Sequence, residues 1–136
     1  MRVMVTGGGH GIGRKAVQLL LEDGQEVIVF EKDEKLLDSL PDSVEKYQGD
    51  VADEERVKEV VGEEEFDVLV NNAGYQKMGA LEDMDSRSFE KHFQTNVFGP
   101  ANFIRHSMGM IREKNGRIVN VGSIAGQMSF PFMSGY

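Results

Sequence analysis

The sequence of 136 residues contains no cysteine. This absence excludes disulfide bonds, cysteine-ligated zinc and thiol catalysis, and it suits a reducing compartment. Basic residues are also few, since 15 Lys and Arg stand against 23 Asp and Glu, and the formal net charge is −8. A negative balance argues against nucleic acid or an anionic membrane as a partner.

Long apolar runs are absent as well. The segment from Met1 to Thr6 enters an apolar run that is too short for a signal-peptide core or a membrane span. A soluble cytoplasmic protein is therefore expected. No repeat, linker or low-complexity segment divides the chain, and a chain of this length can bury one core without a staple. The sequence thus predicts a single domain over residues 1–136.

Short apolar runs alternate with longer amphipathic ones, which is the pattern of β-α units around a parallel sheet. Because β-α-β crossings are right-handed, this pattern predicts a doubly wound sheet. The predicted strands are Arg2–Thr6, Glu26–Phe30, Val44–Gln48, Asp67–Asn71 and Arg117–Gly122. The predicted helices are Ile12–Asp23, Asp33–Leu40, Asp53–Val61 and a stretch from Ser86 to Lys114 with an interruption near Gly99-Pro100.

Two helix ends have recognisable residues. Gly24 is the expected C′ residue of the first helix, and Asp53 is a candidate N-cap of the third. The 3.6-residue period of the first helix predicts an apolar side made of Ile12, Ala16, Val17, Leu19 and Leu20.

A glycine-rich segment, TGGGHGIG from Thr6 to Gly13, lies between the first strand and the first helix. Gly7, Gly11 and Gly13 let the backbone turn tightly and approach a pyrophosphate at the helix N-terminus. The spacing differs from the commoner G-x-G-x-x-G fingerprint, and Arg14-Lys15 stands where a P-loop needs Lys followed by Ser or Thr. Alone, the segment fits a plain turn as well as a nucleotide site. Its position in a β-α-β unit favours the nucleotide.

Glu31 lies at the end of the second strand, where a carboxylate accepts both ribose hydroxyls of NAD and repels a 2′-phosphate. Lys32 follows it, and a lysine there is able to meet a 2′-phosphate instead. NAD is therefore expected in preference to NADP. Taken alone, Glu31-Lys32 also fits an ordinary solvated strand end.

Together these residues resemble the classical short-chain dehydrogenase/reductase family. TGGGHGIG resembles the family's TGxxxGxG cofactor loop, Asp50-Val51 looks like its adenine-contacting Asp after the third strand, and Asn71–Gly74 matches its NNAG motif. Asn96 and Ser123 fall where the family places its catalytic asparagine and serine. Tyr136, at the family's spacing from Ser123, corresponds to the tyrosine of its YxxxK motif.

The resemblance implies a Rossmann domain of strand order 3-2-1-4-5 that transfers a hydride between NAD(P) and a small or apolar alcohol or ketone. Tyr136 would exchange the proton, Ser123 would hold the substrate oxygen and Asn96 would place a water. Asn71 and Asn72 are also expected to tie neighbouring strands through side-chain to backbone bonds. The cofactor-binding residues implied are Gly7, Gly9, His10, Gly11, Ile12, Gly13, Glu31, Lys32, Asp50, Val51, Asn72, Ala73 and Gly74.

By the same resemblance, the lysine of YxxxK would follow the last residue, Tyr136. We therefore expect an incomplete copy of a longer, homo-oligomeric enzyme, with little activity in the absence of that lysine. One enzymatic alternative is an NADPH-dependent 3-oxoacyl-carrier-protein reductase. A different alternative is a non-catalytic dinucleotide-binding module, and a third is a fragment with no function of its own.

Two other groups of residues have ordinary explanations. The three histidines show no convergent carboxylate pattern, so they are expected to be solvated or packed rather than to bind a metal. The residues before Tyr136 include an apolar set that fits a substrate pocket or simple packing equally well. These are Met128, Phe130, Phe132 and Met133.

Overall fold

The computed structural model describes residues 1–136 and contains one sheet of five parallel strands in the order β3-β2-β1-β4-β5. The predicted strand order is therefore confirmed. The last strand ends earlier than predicted, because after the Val121 N–H bonds to the Asn71 carbonyl the chain turns into a short 3₁₀ helix. The strands are β1 (Arg2–Thr6), β2 (Glu26–Glu31), β3 (Glu45–Gln48), β4 (Val68–Asn71) and β5 (Arg117–Asn120).

Helices cover both faces of the sheet, as the doubly wound prediction requires. None of them has the length and apolar character that a membrane crossing needs. The helices are α1 (Gly11–Glu22), α2 (Glu34–Asp38), α3 (Glu54–Glu63), α4 (Ser86–Phe93) and α5 (Gly99–Glu113).

The predicted interruption of the last helical stretch is a π-helical turn, Gln94–Phe98, between α4 and α5. It lies just before the predicted position. The Gly99 N–H bonds to the Gln94 carbonyl, which is the wider spacing of a π turn. Pro100 has no N–H for the carbonyl of Asn96, so the α-helical ladder cannot continue there.

Aspartate side chains cap α2, α3 and α4, and a glycine follows α1. Asp53 accepts from the Arg56 N–H at 3.2 Å, which confirms it as the N-cap of α3. Asp33 caps α2 and Asp85 caps α4 in the same way. Gly24 follows α1 with φ of 73°, the left-handed conformation expected of a C′ glycine.

The sheet separates two apolar cores. On one face, side chains of β1, β2 and β4 pack against α3 and α5, and the rings of Phe30 and Phe103 meet edge-on at 5.1 Å. On the other face, alternate residues of β1 and β2 pack against α1 and α2, with Val17 fully buried. The predicted apolar side of α1 is too wide. Ile12 and Leu19 are 69% and 51% exposed, because only a narrow stripe around Val17 reaches the sheet.

A cluster of charges lies at the amino ends of the strands. The Arg2 guanidinium forms ion pairs with Glu45 and Glu64, and the Tyr47 hydroxyl donates to Glu64. The hydrogen bond to Glu64, together with burial, raises the pKa of Tyr47 to about 12. The fold therefore favours the neutral phenol.

We predict that Tyr47 ionises near pH 12 rather than at the ordinary tyrosine pKa of 10.0. Since the folded pKa is raised, the stabilisation is fully present below pH 10.0 and is lost as the pH rises through about 12. The difference in phenolate absorbance between the unmodified protein and Tyr47→Phe gives the midpoint. Glu64→Gln should move that midpoint back toward 10.0. A Tyr47 titration midpoint of 10.0 in the unmodified protein would contradict the prediction.

Candidate dinucleotide-binding site

A cleft of about 790 Å³ opens at the carboxyl ends of the strands. It lies where the strand order reverses between β1 and β4, which is the usual ligand position in open α/β sheets. The predicted site residues that line it are Gly7, His10, Gly11, Ile12, Glu31, Lys32, Asp50, Val51, Asn72, Ala73, Gly74 and Tyr136.

Two of the predicted cofactor-binding glycines lie behind the cleft wall instead. A Cβ on Gly13 would stand 2.2 Å from the Gly7 carbonyl oxygen and 2.4 Å from Nδ2 of Asn72. A Cβ on Gly9 would stand 2.7 Å from the Leu36 side chain. These glycines therefore serve the close packing of the loop rather than line the cleft.

The start of α1 suits an anion. Its N-cap residue, His10, makes no side-chain capping bond, and its first turn has no acidic residue. Gly11 has φ of 54°, and a Cβ there would meet nothing within 4 Å, so the backbone faces open space. Uncapped N–H groups at a helix N-terminus attract phosphate oxygens. The residues present thus fit the pyrophosphate of a dinucleotide.

The carboxylate of Glu31 is buried and holds the backbone around it. Its Oε2 accepts from the Gly9 N–H at 3.1 Å, and its Oε1 accepts from the N–H groups of Lys32 and Asp33 at 2.8 and 3.1 Å. The side chain predicted to contact the ribose therefore also fixes the glycine loop against the end of β2.

Lys32 follows β2 and forms an ion pair with Asp50, which follows the neighbouring strand β3. Burial alone would raise the pKa of the Asp50 carboxyl, but hydrogen bonds from Lys32 and from the Ala52 N–H outweigh it and hold that pKa below its usual range. Asp50 is therefore an anionic acceptor at neutral pH. Lys32 therefore already has a carboxylate partner.

The end of β4 is tied to the end of β1 by Asn72. Its Nδ2 donates to the carbonyl oxygens of Thr6 and Gly7 at 3.1 and 3.0 Å, which is the predicted side-chain to backbone tie. Asn71 also ties neighbouring strands as predicted, but to a side chain rather than to the backbone, since its Nδ2 donates to Oδ1 of Asn120 at 2.9 Å. The Oδ1 of Asn71 is buried without a protein partner.

The three predicted catalytic residues are placed differently. Tyr136 lines the cleft, whereas Asn96 and Ser123 do not. The amide of Asn96 is bonded on both sides to the backbone of Tyr75, accepting from its N–H and donating to its carbonyl at 2.8 Å each. The Ser123 hydroxyl accepts from the Ala125 N–H at 3.1 Å and starts the 3₁₀ helix Ile124–Gly126.

The sequence analysis missed a group of lining residues beyond the NNAG segment. Tyr75 and Gln76 follow that segment directly, and Lys91 and Thr95 come from α4 and the π turn. The Lys91 ammonium lies 4.3 Å above the centre of the Tyr75 ring. Lys91 and Thr95 are one helical turn apart, beside Asn96. That spacing is the signal that would have pointed to them.

The apolar residues before Tyr136 do not line the cleft. Met128, Phe130 and Phe132 are between 40% and 59% exposed. Among the histidines, His10 lies exposed at the cleft, His106 bonds to Glu54 at 3.1 Å and His92 is buried. No group of three potential metal-ligating side chains comes together in the structure.

The sheet order, the glycine loop and the cleft together define a nucleotide-binding domain of the Rossmann type. The family model for short chain dehydrogenases matches residues 1–136. The chain belongs to the short-chain dehydrogenase/reductase family.

Relatives agree with this assignment. The chain is 31% identical to a probable short-chain type dehydrogenase/reductase, VdlC, of Helicobacter pylori, over 98% of this chain and 52% of the relative. It is 32% identical to the 3-oxoacyl-[acyl-carrier-protein] reductase FabG of Thermotoga maritima, over 98% and 59%. The crystal structure of a short-chain dehydrogenase from Streptomyces avermitilis superposes with a TM-score of 0.91 at 35% identity, over 99% and 54%. The chain thus spans little more than half the length of these proteins.

We predict that Gly13→Ala lowers the free energy of unfolding by about 1–3 kcal/mol, because the new methyl group overlaps the Gly7 carbonyl and the Asn72 amide. Gly109→Ala is the matched control. Gly109 is exposed within α5, a Cβ there meets nothing within 4 Å, and alanine should stabilise the helix by about 1 kcal/mol. Urea denaturation measures both. Equal stability of the two variants would contradict the close approach.

Proposed function

We propose that the chain binds NAD in this cleft and forms the cofactor-binding part of an oxidoreductase that acts on an alcohol or ketone. One observation carries the proposal: residues of the glycine loop, Asp50, the last three residues of the NNAG segment and Tyr136 line the same cleft. Taken singly, each of these features has a structural explanation. A dinucleotide site requires that they come together at the carboxyl ends of the strands, and here they do.

The residues suited to hold the cofactor are spread along the cleft. The uncapped start of α1 suits the pyrophosphate, and Glu31 suits the ribose hydroxyls. Asp50 and Val51 suit the adenine end, in line with the resemblance of this pair to the family motif. When bound, a nicotinamide cofactor supplies the hydride acceptor or donor.

The chain's own contribution to the chemistry would be proton transfer and orientation. Tyr136 presents a phenolic hydroxyl at the cleft and would exchange a proton with the substrate oxygen. Ser123 would hold that oxygen by a hydrogen bond. Asn96 keeps one amide hydrogen and one lone pair beyond its two bonds to Tyr75, and these would hold a water.

The electrostatics favour NAD over NADP. A 2′-phosphate would meet the carboxylates of Glu31 and Asp33, which both line the cleft. Lys32 is the cation nearest to them in sequence, and it is already paired with Asp50. An NADPH-dependent 3-oxoacyl-carrier-protein reductase, the activity in the name of one relative, would need that cation to be free. The cleft therefore gives this alternative no added support.

The direct test is the binding of NADH and NADPH by the purified chain, followed by nicotinamide fluorescence. NADH should bind more tightly than NADPH. Failure to bind either cofactor would overturn the proposal. Binding without turnover on a panel of alcohols and ketones would favour the alternative of a non-catalytic dinucleotide-binding module.

We predict that Asp33→Asn shifts the ratio of NADH to NADPH affinity toward NADPH by about threefold to tenfold, because it removes one negative charge near the 2′ position. Asp33 is a cleaner probe than Glu31, whose carboxylate holds three N–H groups. Asparagine is as good an N-cap as aspartate, so α2 should be preserved.

The matched control for this experiment is Asp53→Asn. It makes the same change at the N-cap of α3, and Asp53 does not line the cleft. Its affinity ratio should equal that of the unmodified chain. An equal shift in both variants would mean that the effect of Asp33 is not local to the cleft.

A further inference from the structure

His92 is a buried polar residue that joins three parts of the molecule. It belongs to α4 and is only 1% exposed. One side of its ring faces the segment after β4, and another faces the segment that ends in Tyr136. The proposed function gives His92 no role.

The hydrogen-bond partners of His92 indicate its tautomer. Nε2 lies 3.1 Å from the backbone nitrogen of Lys77, whose N–H is able only to donate, so Nε2 is an unprotonated acceptor. Nδ1 lies 2.8 Å from the Ser88 carbonyl oxygen, which is able only to accept, so Nδ1 carries the hydrogen. The neutral imidazole with hydrogen on Nδ1 is therefore the state that satisfies both partners.

The ring of His92 also lies next to Gly135. A Cβ at Gly135 would stand 3.1 Å from Nδ1 of His92, 3.2 Å from its Cε1 and 3.0 Å from the sulfur of Met84. The ring of Tyr75 also packs against the imidazole of His92, and the two ring centres are 4.9 Å apart. Gly135 thus lies beside the imidazole with little room for a side chain, and Tyr136 is the next residue.

A second contact couples the same two segments. The Gly79 N–H donates to the Phe132 carbonyl at 2.9 Å, and Gly79 forms an isolated parallel bridge with Met133. The Tyr136 N–H in turn donates to the Met133 carbonyl at 3.1 Å. The segment that presents Tyr136 therefore rests on the segment from Lys77 to Gly79, which His92 anchors through Nε2.

We propose that His92, as the neutral imidazole protonated on Nδ1, is the positioning residue for Tyr136. Nε2 accepts the hydrogen bond from the Lys77 N–H, and the ring packs beside Gly135. Both contacts that hold the Tyr136 segment in place therefore involve His92. The inference rests on the proposed function for the importance of Tyr136, but its geometry is testable without any cofactor.

The test uses the whole 136-residue chain labelled with nitrogen-15. The ring nitrogens of His92 should show the form with hydrogen on Nδ1, and a nuclear Overhauser contact should join the His92 ring to Gly135. His92→Leu, which has no acceptor for the Lys77 N–H, should speed hydrogen exchange of the Lys77, Gly79 and Tyr136 amides by about tenfold or more.

Two variants serve as comparisons. His92→Gln offers an amide oxygen near the position of Nε2 and should restore slow exchange of the three amides to within about threefold. His106→Leu alters the histidine of α5, whose Nε2 bonds Glu54 at 3.1 Å, and it should leave the three amides unchanged. The Val29 amide in the core of β2 should keep its exchange rate in all variants.

Three results would overturn the inference: hydrogen on Nε2 instead of Nδ1, unchanged exchange of the three amides in His92→Leu, or an equal acceleration at Val29, which would indicate a general loss of stability. Failure of the chain to bind NADH would defeat the proposed function alone. The imidazole and amide results would still decide the role of His92.

Discussion

The close approach of two backbone segments at the carboxyl end of β1 is the constraint on which the cleft depends. The Thr6 hydroxyl accepts from the N–H groups of Asn72 and Ala73 at 3.0 Å each, and the Asn72 amide reaches back to the Thr6 and Gly7 carbonyls. The two segments are so close that there is no room for a side chain at Gly7 or Gly13. The turn after β1 is therefore fixed by hydrogen bonds from the residues that follow β4. The start of α1 is uncapped and open to the cleft.

The charges around the cleft follow from that geometry. The backbone N–H groups at the start of α1 form a positive end that needs no cationic side chain. The carboxylates on the β2 side are each engaged, Glu31 with backbone N–H groups and Asp50 with Lys32. The start of α1 and the carboxylates beside β2 therefore give the two parts of the cleft different charge character.

Features set by local sequence were predictable, and those set by distant contacts were not. The strand order follows from alternating elements and right-handed crossings, and Asp53 and Gly24 mark helix ends by their own chemistry. The exposure of Ile12 was not predictable, because periodicity gives the direction of an apolar side but not how much of it the sheet covers. The amide of Asn96 bonds a residue 21 positions away, and no local pattern reveals that partner.

The π turn explains how one helical stretch holds the irregular segment after β4. Asn96 and His92 are one turn apart, and they bond the backbone of Tyr75 and Lys77 respectively. Apart from the bridge between Gly79 and Met133, that segment has no sheet pairing, so its polar backbone groups need side-chain partners. Pro100 prevents a regular ladder at Asn96 and lies just past the wider turn. Side chains of α4 and the π turn therefore supply the hydrogen bonds that sheet pairing would otherwise provide. These bonds hold the segment after β4, which lines the cleft, in place.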